Sequence, residues 1–241
     1  MTLRLSALSL LALAASAPSA AQVSTDRPGL GFNPATVGQG ALQIEAGLPQ
    51  ATLLGDDATA YTVPVALRYG ITPSIELRAS SSVFDATDAA GETESGVGFS
   101  TVTAGVKLAV PAGGFALGLI PEVVIPTEGD GDVVFQLNAP AGFALGDLGL
   151  TLVPGLVTGN GSTTLNAVAV LGRSFGGALS GYAEVGAFPL LEGDGDTPVL
   201  AGGGVAVLLN EDTQLDAFFD AGLTDAAPDL VVGVGASFRI D

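Results

Sequence analysis

From about residue 40 onward the sequence repeats one phrase, a strand-length segment followed by a break, and within each segment the charges keep to a single parity. Neighbouring side chains on a strand point to opposite faces, so parity divides each segment into two sides. Tyr61, Val63, Val65, Leu67 and Tyr69 share one face, and Thr62, Pro64, Ala66 and Arg68 the other. Ile75, Leu77 and Ala79 oppose Glu76 and Arg78, while Val102, Ala104, Val106 and Leu108 oppose Thr101, Thr103, Gly105 and Lys107. Near the end, Leu230, Val232, Val234, Ala236, Phe238 and Ile240 oppose Gly233, Gly235, Ser237 and Arg239. Glu45, Glu122, Glu184, Asp216 and Asp220 fit the same charged side. An Arg or Lys facing lipid at mid-membrane costs about 2 to 4 kcal/mol, so a bilayer selects this segregation strongly.

Twelve such segments run approximately over 41–48, 61–69, 74–83, 99–110, 114–126, 133–145, 147–157, 163–172, 179–190, 199–209, 214–222 and 230–240. Breaks after even-numbered segments are tight, as at Gly70-Ile71-Thr72-Pro73, Pro111-Ala112-Gly113 and Gly146. Those after odd-numbered segments are mostly longer and acidic: Gly55 to Asp57, Asp85 to Gly96, Glu128 to Asp132, Glu192 to Asp196, and Asp225 to Asp229, with the uncharged Asn160-Gly161-Ser162 as the exception. The five acidic breaks carry 14 of the 25 carboxylates, which puts much of the negative charge on one rim. Short turns at one end and larger loops at the other predict an all-β, up-and-down antiparallel membrane β-barrel of about 12 strands, with periplasmic turns and acidic external loops. Ten residues rising about 3.3 Å each and tilted near 45° span about 24 Å, close to the apolar band of such barrels. Tyr61, Tyr69, Phe115, Phe143 and Phe238 lie near strand ends, where interfacial girdles form. A soluble β-sandwich shares the period of two but predicts a well-solvated polar face, whereas here the second face is largely Gly, Ala, Ser and Thr.

Arg4, the apolar stretch Leu5 to Ala15 and the small residues Ser19-Ala20-Ala21 have the layout of a cleavable secretory signal over residues 1–21. Residues 22–39 form a Gly- and Pro-containing periplasmic segment, and 40–241 the barrel. Asp26 and Arg27 give that segment two readings, a partial plug paired with lumen charges or a mobile terminus. The net charge of -18 excludes nucleic acid as a partner, because phosphate binding needs clustered Lys and Arg. With neither Cys nor His, thiol chemistry, Cys-ligated metals and the usual general base are absent, and a Ser-His catalytic pair cannot be built. The expectation is a non-enzymatic protein without cofactor, whose partners are the lipid bilayer, the barrel-assembly machinery and a small-molecule solute, located in the outer membrane.

Family motifs agree. Thr25-Asp26-Arg27-Pro28, Leu42-Gln43-Ile44-Glu45-Ala46-Gly47, Tyr69-Gly70-Ile71-Thr72 with Glu76-Leu77-Arg78, Gly105-Val106-Lys107, Pro126-Thr127, Leu215-Asp216 and the closing Gly222 to Asp229 with Val234-Gly235 resemble the outer-membrane transporters labelled "MetA-pathway of phenol degradation". The resemblance covers nearly the whole chain after the leader and implies passage of small compounds, aromatic ones among the candidates. It brings no substrate-binding residues. Phe238 lies short of the terminal position that an aromatic usually holds in such barrels.

The candidate site is the charged lumen lining of Glu45, Arg68, Glu76, Arg78, Lys107, Glu122, Glu184, Asp216, Asp220 and Arg239. These side chains either set the selectivity of a conduit or only cancel one another as structural pairs. The loop carboxylates Glu128, Asp130 and Asp132, repeated as Glu192, Asp194 and Asp196, are either ligands for divalent ions or solvated acidic loops. Ile120, Val153, Val157, Leu200 and Leu208 on inward parity argue against a wide water-filled pore. Passive movement of small, apolar or aromatic solutes is the leading function, and a structural or adhesive barrel with a closed lumen is the alternative.

Overall fold

The computed structural model describes residues 23–55, 58–89, 92–99, 101–127, 129 and 131–241. The expected leader, the loop acids Asp56 and Asp57, and the candidate ligands Glu128 and Asp130 lie outside the described residues. Fifteen strands form one antiparallel sheet: β1 (Leu42–Leu53), β2 (Thr59–Thr72), β3 (Ile75–Ala89), β4 (Glu92–Val97), β5 (Thr101–Pro111), β6 (Ala116–Pro126), β7 (Val134–Asn138), β8 (Ala141–Leu145), β9 (Leu148–Gly159), β10 (Ser162–Ser174), β11 (Leu179–Ala187), β12 (Leu190–Glu192), β13 (Val199–Asn210), β14 (Thr213–Gly222) and β15 (Leu230–Ile240). The first and last strands pair from Leu42↔Ile240 to Leu53↔Leu230, and β9 pairs with β10, so the sheet closes on itself. Closure removes the free edges that lipid could not solvate. Twelve positions make up the wall, because β7 and β8 share one, β11 and β12 share another, and β4 only extends β3 outward.

Prolines account for most of the irregularities. A proline lacks the N–H that a ladder requires, so it falls at bulges and breaks. β1 bulges between Gly47 and Gln50, around Leu48-Pro49, and the β2–β3 register shifts between Thr62 and Pro64. The segment expected over 133–145 is split into β7 and β8 at Ala139-Pro140, and that over 179–190 into β11 and β12 at Phe188-Pro189. The wall stays hydrogen bonded there, because Gly118 N donates to the Pro140 carbonyl at 2.8 Å and Leu165 N to the Pro189 carbonyl at 3.0 Å.

One stretch read as an acidic loop is a hairpin instead. Asp85 and Asp88 lie on β3, Glu92 and Glu94 on β4, in register from Phe84↔Val97 to Ala89↔Glu92. Beyond the bilayer, charges are solvated and do not prevent strand pairing. Between β9 and β10 the connection is a two-residue turn, where Asn160 (φ 53°) and Gly161 (φ 72°) supply the left-handed backbone that such hairpins need.

Leu67, Leu77, Leu137, Leu156, Val185, Val205, Leu215, Phe219 and Val234 are all exposed, and together they ring the outer wall. Soluble proteins seldom expose a contiguous apolar belt of this extent, and lipid covers it without cost. Phe115 and Phe143 stack with centroids 5.2 Å apart at the short-turn end. Inside, Ile120, Val153 and Leu200 are buried, with Val157 and Leu208 half-buried, so the lining is only partly polar.

Candidate functional site

The inner wall is charged and nearly inaccessible. Glu45, Arg68, Glu76, Lys107, Glu122, Glu184, Asp216, Asp220 and Arg239 are buried, Arg68 and Lys107 to 1% and 0% exposure, and Arg78 is half-buried. Parity alone brings them inward. What removes them from solvent is the chain between Val23 and Gly40, which enters at the short-turn end and lies along the lumen. Val23 N bonds Glu211 O in one turn, Thr36 Oγ1 bonds Pro73 O in another, and Gly40 N bonds Gly70 O at 2.8 Å.

Wall side chains hold this segment by its backbone. Glu45 accepts the amides of Asp26 and Arg27 at 3.1 to 3.2 Å, Glu184 that of Leu30 at 2.9 Å, and Glu76 that of Val37 at 2.8 Å. Arg68 donates to the Ser24 carbonyl at 2.6 Å and Arg239 to that of Val37 at 2.8 Å. Glycines on the wall make the berth. A Cβ at Gly70 would strike the Gly38 carbonyl, and one at Gly118 would lie 3.0 Å from the Pro34 carbonyl.

Asp26 is the centre of one cluster. Its carboxylate contacts Arg78 Nη1, Lys107 Nζ at 2.7 Å and Arg68 Nε at 3.6 Å, and accepts Asn33 N at 2.9 Å. Arg68 also reaches Glu76 at 2.7 Å and Glu45 at 2.6 Å, and Arg78 reaches Glu122 at 3.0 Å while its guanidinium lies 5.7 Å from the Phe32 ring centre. Burial by itself would raise the Asp26 pKa. The Arg68, Lys107 and Arg78 charges outweigh it and hold the carboxyl well below the usual carboxylate range. Three cations thus share four carboxylates, Arg68 and Arg78 each meeting three of them and Asp26 meeting all three cations, and such sharing lets buried charges repay their desolvation.

The opposite wall is poorer in cations. Arg27 bonds Asp216 at 3.1 Å, and Glu184 and Asp220 flank Gly202 on neighbouring strands. Arg239 pairs with Asp241 at 2.7 Å near the short-turn rim. Among the loop carboxylates, Glu192 accepts Thr163 Oγ1 at 3.1 Å, and the described residues hold no group of three or more His, Cys, Asp or Glu able to take a metal ion.

Two cavities remain beside the segment. The one at the short-turn end, about 470 Å³, is lined by Pro28, Phe32, Thr151, Tyr182 and Gln214 among others. The other, about 270 Å³, faces the external end and is lined by Pro64, Ser80, Ser82, Thr101 and Thr103 with Glu45. Their sizes lie at or near the low end of small-molecule sites, about 300 to 1,000 Å³. Phe32, Tyr182, Gln43 and Gln214 have no charge to reveal their parity, and the sequence reading passed over them. A usable signal was the wall glycines, which mark where something other than side chains must fit.

The family described as "MetA-pathway of phenol degradation" matches residues 25–240 of this chain. Among solved structures, the chain is similar to the COG4313 outer membrane channel from Pseudomonas putida F1, with TM-score 0.64 and 15% identity over 89% of this chain and 99% of that one. It is similar also to the NanC porin, with TM-score 0.59 and 8% identity over 83% of this chain and 100% of that one. The translocator domain of autotransporter NalP from Neisseria meningitidis gives TM-score 0.56 and 15% identity over 84% of this chain and 89% of that one. No curated protein matches. At these identities the likeness is one of fold, an outer-membrane β-barrel.

Proposed function

The chain belongs to the MetA-pathway of phenol degradation family, and on that premise we propose that it is an outer-membrane channel for passive movement of small, uncharged solutes, apolar or aromatic ones among them, its lumen narrowed by residues 23–40. The observation that carries this is the pair of cavities at opposite ends of one lumen, with mixed walls. Phe32, Pro28 and Val170 offer apolar surface in the lower cavity, and Ser80, Ser82, Thr101 and Thr103 offer hydroxyls in the upper one. A solute the size of a single aromatic ring fits either, and weak contacts on both sides favour passage over retention. The neighbours named as channel and porin support the same reading.

No cofactor enters this mechanism. The buried charges hold the segment in place, the apolar belt holds the barrel in lipid, and solute moves down its gradient. Nor does any step require catalysis.

Liposome swelling and single-channel recording on the purified, refolded barrel test the proposal. Uptake of a neutral pentose or of an uncharged monoaromatic, above that of protein-free vesicles, is the expected result. A folded barrel that passes neither, and conducts no ions, supports instead a structural or adhesive barrel whose acidic loops face the surroundings.

A further inference from the structure

The two cavities have one lining residue in common, Arg27. Its backbone is fixed, because its amide donates to Glu45 at 3.1 Å and its carbonyl accepts Thr25 Oγ1 at 2.6 Å. Its guanidinium is held much less firmly. Nη2 reaches Asp216 at 3.1 Å and the Val234 carbonyl at 3.4 Å, and Nε, though buried, has no hydrogen-bond partner among the described residues. Arg68, by contrast, makes four bonds of 2.6 to 3.0 Å. Gly47 and Gly235 provide the space where the guanidinium lies, for a Cβ at Gly47 would come within 3.1 Å of Nη1 and one at Gly235 within 2.6 Å of Nε.

From this geometry we infer that the Arg27 side chain is the barrier and the selectivity element of the conduit. Swung off Asp216, it joins the two cavities while the rest of residues 23–40 stays docked. Arg27 is the one lining residue that the two cavities share, and rotation of its side chain opens the space between them. The move leaves Asp216 facing water-accessible space, where a carboxylate is solvated at far lower cost than in a dry interior. A cation between the two cavities repels cationic solutes, and the acidic external rim repels anions before they reach it. Neutral solutes are the class that passes. This inference rests on the transport reading above.

The test compares wild type with R27S, R27Q, D216N and D26N, each refolded and checked for heat-modifiable mobility. Two readouts are taken on each: arabinose-driven swelling with potassium chloride conductance, and chymotrypsin cleavage after Leu30 or Phe32 as a measure of segment docking. R27S and R27Q should raise conductance and swelling at least several-fold with cleavage unchanged, and D216N, which weakens the tether, should do so to a lesser extent. If the Arg27 variants match wild type while D26N becomes both cleavable and conductive, the whole segment is the barrier and the assignment to Arg27 is wrong. If none of the five proteins passes arabinose or ions, the transport reading itself falls, and the gate with it.

Discussion

Replacing Asp26 by Asn tests how residues 23–40 are held. The substitution keeps the side-chain size and the Asn33 amide contact but removes the charge that faces Arg78, Lys107 and Arg68. Arg68 and Arg78 keep Glu45, Glu76 and Glu122 as partners. Lys107 does not fare so well, because at 0% exposure its other hydrogen bond among the described residues is to the Ala35 carbonyl at 3.3 Å. Leaving a buried charge without its partner costs about 3 to 5 kcal/mol. At about 1.4 kcal/mol per tenfold, the equilibrium between docked and released segment should shift by roughly two to three and a half orders of magnitude. The assay is hydrogen exchange at the Val37 and Leu30 amides, which are bonded to Glu76 and Glu184 in the docked state. Their protection should fall by that factor, with the ladder amides of β1 and β15 unchanged. The double variant D26N/K107M, which removes the stranded cation too, should recover most of the protection. Equal protection in wild type and D26N would refute the reasoning that these charges hold the segment.

Three further outcomes are expected. Val234→Arg places a cation on an exposed, mid-strand position opposite Ala217 and should lower folding stability in vesicles by about 2 to 4 kcal/mol, read from urea titration; a cost near zero would mean that this face does not meet hydrocarbon. Gly29→Ala should release Leu30 from Glu184 without changing barrel melting, because Gly29 has φ +94° and a Cβ there would strike the Glu184 carboxylate; unchanged Leu30 exchange would contradict this. The Asp26 carboxyl is depressed below its ordinary value of about 3.9, so its stabilisation is complete above that value and disappears only as pH falls through the lower, folded one. A nitroxide at Thr36→Cys should therefore keep its mobility from pH 7 to about 5, and loosening already in that window would show that another group controls docking.

Local rules carried the sequence reading a long way. The alternation around Arg68, Glu76 and Lys107 is set by the two-residue repeat of a strand, which needs no knowledge of the partner strand. Turn chemistry such as Asn160-Gly161 is equally local. Prolines 140 and 189 were visible as well, but whether a proline ends a strand or only interrupts it depends on whether the next strand supplies donors to the neighbouring carbonyls, as Gly118 and Leu165 do. The β3–β4 hairpin was missed because acidic residues were weighed as loop formers, although charge opposes pairing only where water is absent.

The sequence by itself determined which side chains face lipid, how many times the chain crosses the wall, and at which end the turns are short, since each follows from residues within one strand and its adjoining turn. Only the tertiary structure decided that Arg27 meets Asp216, 189 positions away, and that Asp26 lies among Arg68, Arg78 and Lys107. Those contacts depend on where closure brings β2, β3, β5 and β14 around a common lumen, and on glycines spaced along separate strands that leave a path for residues 23–40. Parity says that a charge points inward; the closed cylinder says what it meets there.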